Sequence, residues 1–75
     1  MPRLPILSGT DIVRIFQRLG YRVVRQRGSH IRLHGIGRKP LTVPRHAVIG
    51  RGLLRKILRD AELSAEEFAK LLAER

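Results

Sequence analysis

Tyr21-Arg22-Val23-Val24-Arg25-Gln26-Arg27-Gly28-Ser29-His30-Ile31-Arg32-Leu33-His34 is the stretch on which the fold turns. Its second half alternates apolar and polar residues with a period of two, the pattern of a strand with one face buried. Ile31 and Leu33 belong to one face; His30, Arg32 and His34 belong to the other. The first half, Tyr21 to Gln26, has the β-branched and aromatic content of another strand. Val23 and Val24 are adjacent, so one of them must break its alternation. Gly28-Ser29 between the two runs reads as a tight connection.

Further on, Gly35-Ile36-Gly37-Arg38-Lys39 reads as a turn, and Pro40 leads into a third short strand, Leu41-Thr42-Val43, which Pro44 ends. Three short runs with tight turns predict an antiparallel meander. Leu41 and Val43 point inward with Ile31 and Leu33. Thr42 joins His30 and Arg32 outward, with Arg25 or Arg27 nearby.

Helical signals flank this meander. Ser8-Gly9-Thr10-Asp11 reads as a capping box. After it, Ile12, Val13, Ile15, Phe16 and Leu19 fall on one helical face, and Gly20 supplies a C-terminal stop. Arg45 to Gly50 reads as a loop. A second amphipathic helix from about Arg51 puts Leu53, Leu54, Ile57, Leu58 and Ala61 inward. Ser64-Ala65-Glu66-Glu67 is a second capping box, opening a short helix with Phe68, Leu71 and Leu72 inward and Glu66 and Lys70 as an i,i+4 pair. The predicted class is α+β, in the order α-β-β-β-α with a short C-terminal helix. The helices must cover one face of the sheet to build a core. The other face is left for solvent or a ligand.

Composition limits what such a face can do. A chain of 75 residues makes one small domain, 1–75, with little stability to spare. It has no cysteine, which removes disulfides and thiolate metal sites. The start, Met1 to Leu7, lacks the apolar core and cleavage site of a signal peptide. No apolar run approaches the roughly 20 residues of a membrane span. A cytoplasmic protein with no membrane partner is expected.

The net charge is +10, beyond the range of about 2 to 8 that serves solubility in a small domain. Residues 1–59 carry fourteen Lys and Arg against a single acid, Asp11. Residues 60–75 carry Asp60, Glu62, Glu66, Glu67 and Glu74 against Lys70 and Arg75. Most of the basic residues are arginine, whose planar fork grips phosphate bidentately. A self-repelling block of this kind points to a polyanion or an acidic partner. Arg51, Arg55 and Arg59 form a further basic stripe at i, i+4, i+8, fit either for phosphate contact or for plain solvation.

Among the three histidines, His30 and His34 do not read as a metal pair. Four strand residues span about 13 Å, and metal–nitrogen bonds are only about 2 Å. No metal and no other cofactor is expected. His34 and His46 read first as incidental. His30 differs in its surroundings: it follows Gly28-Ser29 directly and sits among Arg25, Arg27 and Arg32. An imidazole can take or give a proton near neutral pH. RNA carries its own nucleophile, the 2′-OH, so a histidine held on the phosphate can promote its attack. Arginines stabilise the charge that develops. On these grounds an RNA-cleaving histidine and a non-catalytic RNA-binding module both stand. A helix–turn–helix DNA binder fits poorly, because residues 21–43 read as strands.

Arg25-Gln26-Arg27-Gly28-Ser29-His30 resembles the signature of HicA-type toxins, the YcfA/HicA-like messenger-RNA interferases. The likeness extends through Ser8-Gly9, Leu19-Gly20-Tyr21, Thr42-Val43-Pro44-Arg45-His46 and Gly52-Leu53-Leu54-Arg55-Lys56-Ile57-Leu58. The resemblance implies a double-stranded-RNA-binding-like fold, with a three-stranded antiparallel sheet covered by helices on one face. It implies a metal-independent endoribonuclease that cleaves mRNA, inhibits translation and is neutralised by a HicB-type antitoxin covering the active site. The family's histidine after Gly-Ser maps to His30 as the catalytic residue. Gly28 and Ser29 are then expected to position it and to donate backbone bonds to phosphate. Arg25, Arg27, Arg32, Lys39 and Arg45 are expected to bind the RNA backbone, with His46 as the best candidate for a second proton-transfer group. The chain departs from the pattern at Gly35-Ile36-Gly37, where a more polar turn is expected.

Overall fold

The computed structural model describes residues 4–74. Met1, Pro2 and Arg3, which open the stretch read above as no leader, lie outside the described residues, as does Arg75. The elements follow the predicted order: α1 (Gly9–Arg18), β1 (Arg22–Arg27), β2 (His30–His34), β3 (Leu41–Pro44), α2 (Arg51–Asp60) and α3 (Ala65–Ala73). The strands form one antiparallel sheet in the order β1-β2-β3. The fold is α+β.

Both capping boxes form. The Ser8 hydroxyl accepts from the Asp11 amide at 3.1 Å while the Ser8 amide donates to Asp11 Oδ2 at 3.3 Å. Ser64 and Glu67 repeat the exchange at 3.0 and 2.9 Å. Each box satisfies two amides that have no partner within the helix. Gly20 ends α1 at φ +100°, a left-handed conformation that glycine adopts without steric cost.

The core lies between the sheet and the helices. Ile12, Ile15 and Phe16 of α1, Leu33 of β2, Leu41 and Val43 of β3, Leu54 of α2 and Phe68 of α3 are all essentially inaccessible to solvent. Phe16 sits at the junction, 6.3 Å from the Phe68 ring and edge-on to Tyr21 at 5.4 Å. Tyr21, expected in the first strand, instead precedes it as a buried anchor. Its hydroxyl donates to the Lys39 carbonyl at 3.4 Å. Leu53, expected inward, is exposed at the first turn of α2, and Leu71 and Leu72 are only partly buried. The expected Glu66–Lys70 pair is not among the ion pairs of the described residues; Lys56–Asp60 and Arg18–Glu74 form instead. The loop before α2 is also tied down, since Ile49 is buried and its amide donates to the Leu7 carbonyl at 2.7 Å.

One close approach fixes the sheet relative to α1. The Gly9 amide donates to the His46 carbonyl at 2.9 Å, and a Cβ at Gly9 would run into the Pro44 carbonyl oxygen. Only glycine lets the α1 backbone rest on the end of β3. Next to this contact, the Arg45 amide donates to the Ser29 carbonyl in the β1–β2 turn. A chain of backbone contacts therefore runs from the start of α1 to the residue before His30.

Candidate nucleic-acid interface

Residues paired across antiparallel strands project from the same side of the sheet. Along β2, His30, Arg32 and His34 face away from the helices, while Ile31 and Leu33 are buried between the sheet and the helices. Their partners complete three rows on the open face. Arg27 and His30 make the row at the turn end, where the β3 partner of His30, Pro44, is buried. Arg25, Arg32 and Thr42 make the middle row. Arg22 and His34 make the far row.

The rows exist because β1 is not regular. The ladder shifts between Val23 and Arg25, so Val24 has no partner. In a regular strand Arg22 would face opposite to Arg25 and Arg27, being odd steps away. One extra residue returns all three arginines to the same side, as a β-bulge does. The adjacent valines signalled a break in alternation. The break falls at Val24, and both valines stay partly exposed.

Gly28 and Ser29 form the two-residue loop between the paired Arg27 and His30. Gly28 has φ +58° and Ser29 does not have a positive φ, the sign pattern of a type II′ turn. Gln26 Nε2 braces the turn by donating to the Gly28 carbonyl at 3.3 Å.

Arg25, Arg27, His30, Arg32 and Thr42 line one cleft of about 250 Å³. His30, Arg32 and Thr42 were read outward from the alternation; of Arg25 and Arg27, one or other of which was expected nearby, both line the cleft. Within the cleft, Arg32 Nη1 donates to Thr42 Oγ1 at 2.8 Å, which fixes the guanidinium across β2 and β3. His30 is exposed, with no side-chain hydrogen bond among the described residues.

Among the described residues no acid lines this cleft, and the strands and turns that build it carry none. Arg25 and Arg32 are directly opposed, an arrangement that destabilises a sheet when both charges face water. An anion laid across the rows relieves that repulsion.

Other expected residues lie elsewhere. Lys39 lines a separate cleft with Arg38, Asp60 and Glu62, at the far end of the β2–β3 connection. His46 is exposed, gives its carbonyl to Gly9 and does not line the His30 cleft. Arg45 adjoins the turn through its backbone bond to Ser29. Arg22 was not singled out from the sequence. Its placement needed the bulge, and the signal for it was the Val23-Val24 pair. Ile36 at the tip of the β2–β3 connection is fully exposed where a polar residue was expected.

A larger cleft of about 500 Å³ lies on the helical side, lined by Asp11, Arg14, Ile15, Arg18 and Glu74. It mixes both signs of charge and has no histidine. Among the described residues no three His, Asp or Glu side chains gather as metal ligands. No helix of the described residues is long and apolar enough to cross a membrane.

A family model described as "HicA toxin of bacterial toxin-antitoxin" matches residues 9–63, from the start of α1 through the whole sheet and α2. No curated protein matches the chain.

Proposed function

This chain belongs to the HicA toxin family, so it is a toxin with a cognate antitoxin, and from that premise we propose that it is a metal-independent endoribonuclease whose catalytic residue is His30. The observation that carries this reading is the acid-free cleft in which His30 stands among Arg25, Arg27 and Arg32.

In the proposed reaction the arginines hold a phosphodiester of mRNA and offset the negative charge that grows on its oxygens. The neighbouring 2′-oxygen attacks phosphorus. A bond forms between phosphorus and the 2′-oxygen, and the bond to the 5′-oxygen breaks. His30 takes the 2′-OH proton as general base or supplies the proton that the 5′-oxygen acquires; water serves the other transfer. Gly28 and Ser29 hold the imidazole at the hairpin end, and Arg45 extends the phosphate contacts. Because RNA brings its own nucleophile, no cofactor is needed. The toxin acts in the cytoplasm and stops translation. A HicB-type antitoxin would present acidic surface to the same basic face.

A second reading, a non-catalytic RNA-binding module, is favoured by one observation. Neither another histidine nor an acid lines the cleft with His30.

Paired growth and RNA-decay assays of wild type and His30→Ala test both readings. The wild type halts growth and degrades message. His30→Ala loses cleavage by at least about a hundredfold, the scale of one proton-transfer group, while folding and RNA binding persist. Equal toxicity of His30→Ala removes the catalytic assignment, and wild type that binds RNA without cutting it establishes the binding module.

A further inference from the structure

The open face extends past the cleft. Beyond the row of His30 and the row of Arg32 lies the third, Arg22 opposite His34, and the proposed reaction uses neither of its members. Successive rows are two residues apart on β2, a spacing of about 6.7 Å, close to the step between phosphates of an extended single strand.

We propose that Arg22 and His34 form a further phosphate subsite, two phosphates along from the one at His30. The substrate strand then runs along β2, with one phosphate on each row. This rests on the reading of the face as an RNA site and adds its register and a minimum substrate length.

Three observations carry the proposal. First, the bulge at Val24 is what brings Arg22 onto the face of Arg25 and Arg27. Second, Arg22 and His34 line a cleft of about 410 Å³ with Gly20, Gly35 and Ile36. The cleft continues the face beyond the row of Arg32. Third, no hydrogen bond or ion pair engages the side chain of either residue among the described residues. Arg32, fixed by Thr42, stands in the middle row between His30 and the pair Arg22 and His34. The alternative is that Arg22 only adds to the general positive field.

The test is binding of 2′-O-methylated single-stranded RNAs, which lack the attacking hydroxyl and stay intact. Oligomers with two, three and four phosphates are titrated against wild type, Arg22→Ala, His34→Ala and Arg14→Ala. Arg14 is an exposed arginine on the helical side and controls for net charge. The expected result is a length threshold. Arg22→Ala matches wild type on two phosphates and binds about tenfold more weakly on three and four. On the longer RNAs its salt dependence falls by about 0.7 in log–log slope, one single-strand phosphate contact. His34→Ala shows the same threshold with a smaller loss, and Arg14→Ala shows none. A loss independent of length, or equal to that of Arg14→Ala, overturns the subsite and leaves the RNA reading standing. Wild type that binds no RNA of any length overturns both.

Discussion

The second helix and the open sheet face each carry a set of arginines, and the two sets keep different company. On α2, Arg51, Arg55 and Arg59 repeat at one-turn spacing. Arg51 Nε donates to the Leu4 carbonyl at 3.0 Å and clamps the N-terminal segment to the helix. Arg55 and Arg59 line a cleft with Glu66 of α3, and Lys56 on the same helix pairs with Asp60 at 3.1 Å. The sheet arginines have no acid anywhere on their strands or turns. The two sets differ in the acids near them: Glu66 lines the cleft of Arg55 and Arg59, and no acid lines that of Arg25, Arg27 and Arg32. Density of arginine along the sequence does not separate the two sets.

Removing a pair of arginines from each set separates the two faces. Arg25→Ala with Arg32→Ala should weaken RNA binding about a hundredfold, since each charge-assisted phosphate contact contributes about 1.5 kcal/mol. Arg55→Ala with Arg59→Ala removes the same charge and should change affinity less than about threefold, as a general field effect screened by salt. Equal losses in a filter-binding titration would erase the distinction between the two faces.

The helices and the sheet meet at a tight joint between α1 and β3. Gly9→Ala forces a methyl group into the Pro44 carbonyl, where α1 rests on β3. It should cost about 1–3 kcal/mol of stability, as overpacking does. Chemical denaturation measures it, and an unchanged midpoint would show that α1 can shift freely. Thr42→Val is subtler. It keeps the shape but removes the oxygen that holds Arg32. RNA affinity should fall by about fivefold, within the worth of one hydrogen bond, with little change in thermal stability.

The smallest effect lies wholly on the helical side. The Ser64 backbone amide, and then its hydroxyl, hold the Glu67 carboxyl below the usual glutamate range, with Arg38 and Lys70 adding to this. A lowered folded-state pKa means the ionised form favours folding. That contribution is present above the unfolded pKa and fades as pH falls through the folded one. Glu67→Gln should therefore flatten the acid limb of thermal stability below the ordinary glutamate pKa and leave RNA binding untouched. A steeper acid limb in the variant would contradict the capping account.

Much of the fold was legible because its signals are local. A capping box needs only four consecutive residues, and Ser8–Asp11 and Ser64–Glu67 both close as read. The alternation of His30 to His34 sorts inward from outward side chains without knowledge of any partner. Much of the candidate cleft follows from it, since Arg32, Thr42 and His30 share a parity. The family resemblance agrees with the match over residues 9–63. The misplacements are non-local. Leu53 has the right helical period for burial, yet it is exposed while Leu54 beside it is fully buried. Lys39 is near β3 in sequence but lines a cleft with Asp60 and Glu62, apart from that of His30.

Two determinants thus divide along the range of the forces involved. The sequence by itself determined the helix starts, the hairpin at Gly28-Ser29, the face on which His30 stands and the excess of positive charge. Each depends on neighbours within about one turn or one strand step. Packing of the sheet leaves Val24 out of the ladder and so brings Arg22 to the side of Arg25 and Arg27. Packing of the helices sets which arginines share a cleft with an acid. Register and counter-charge are set by residues on other elements, whose positions follow from how the whole core packs.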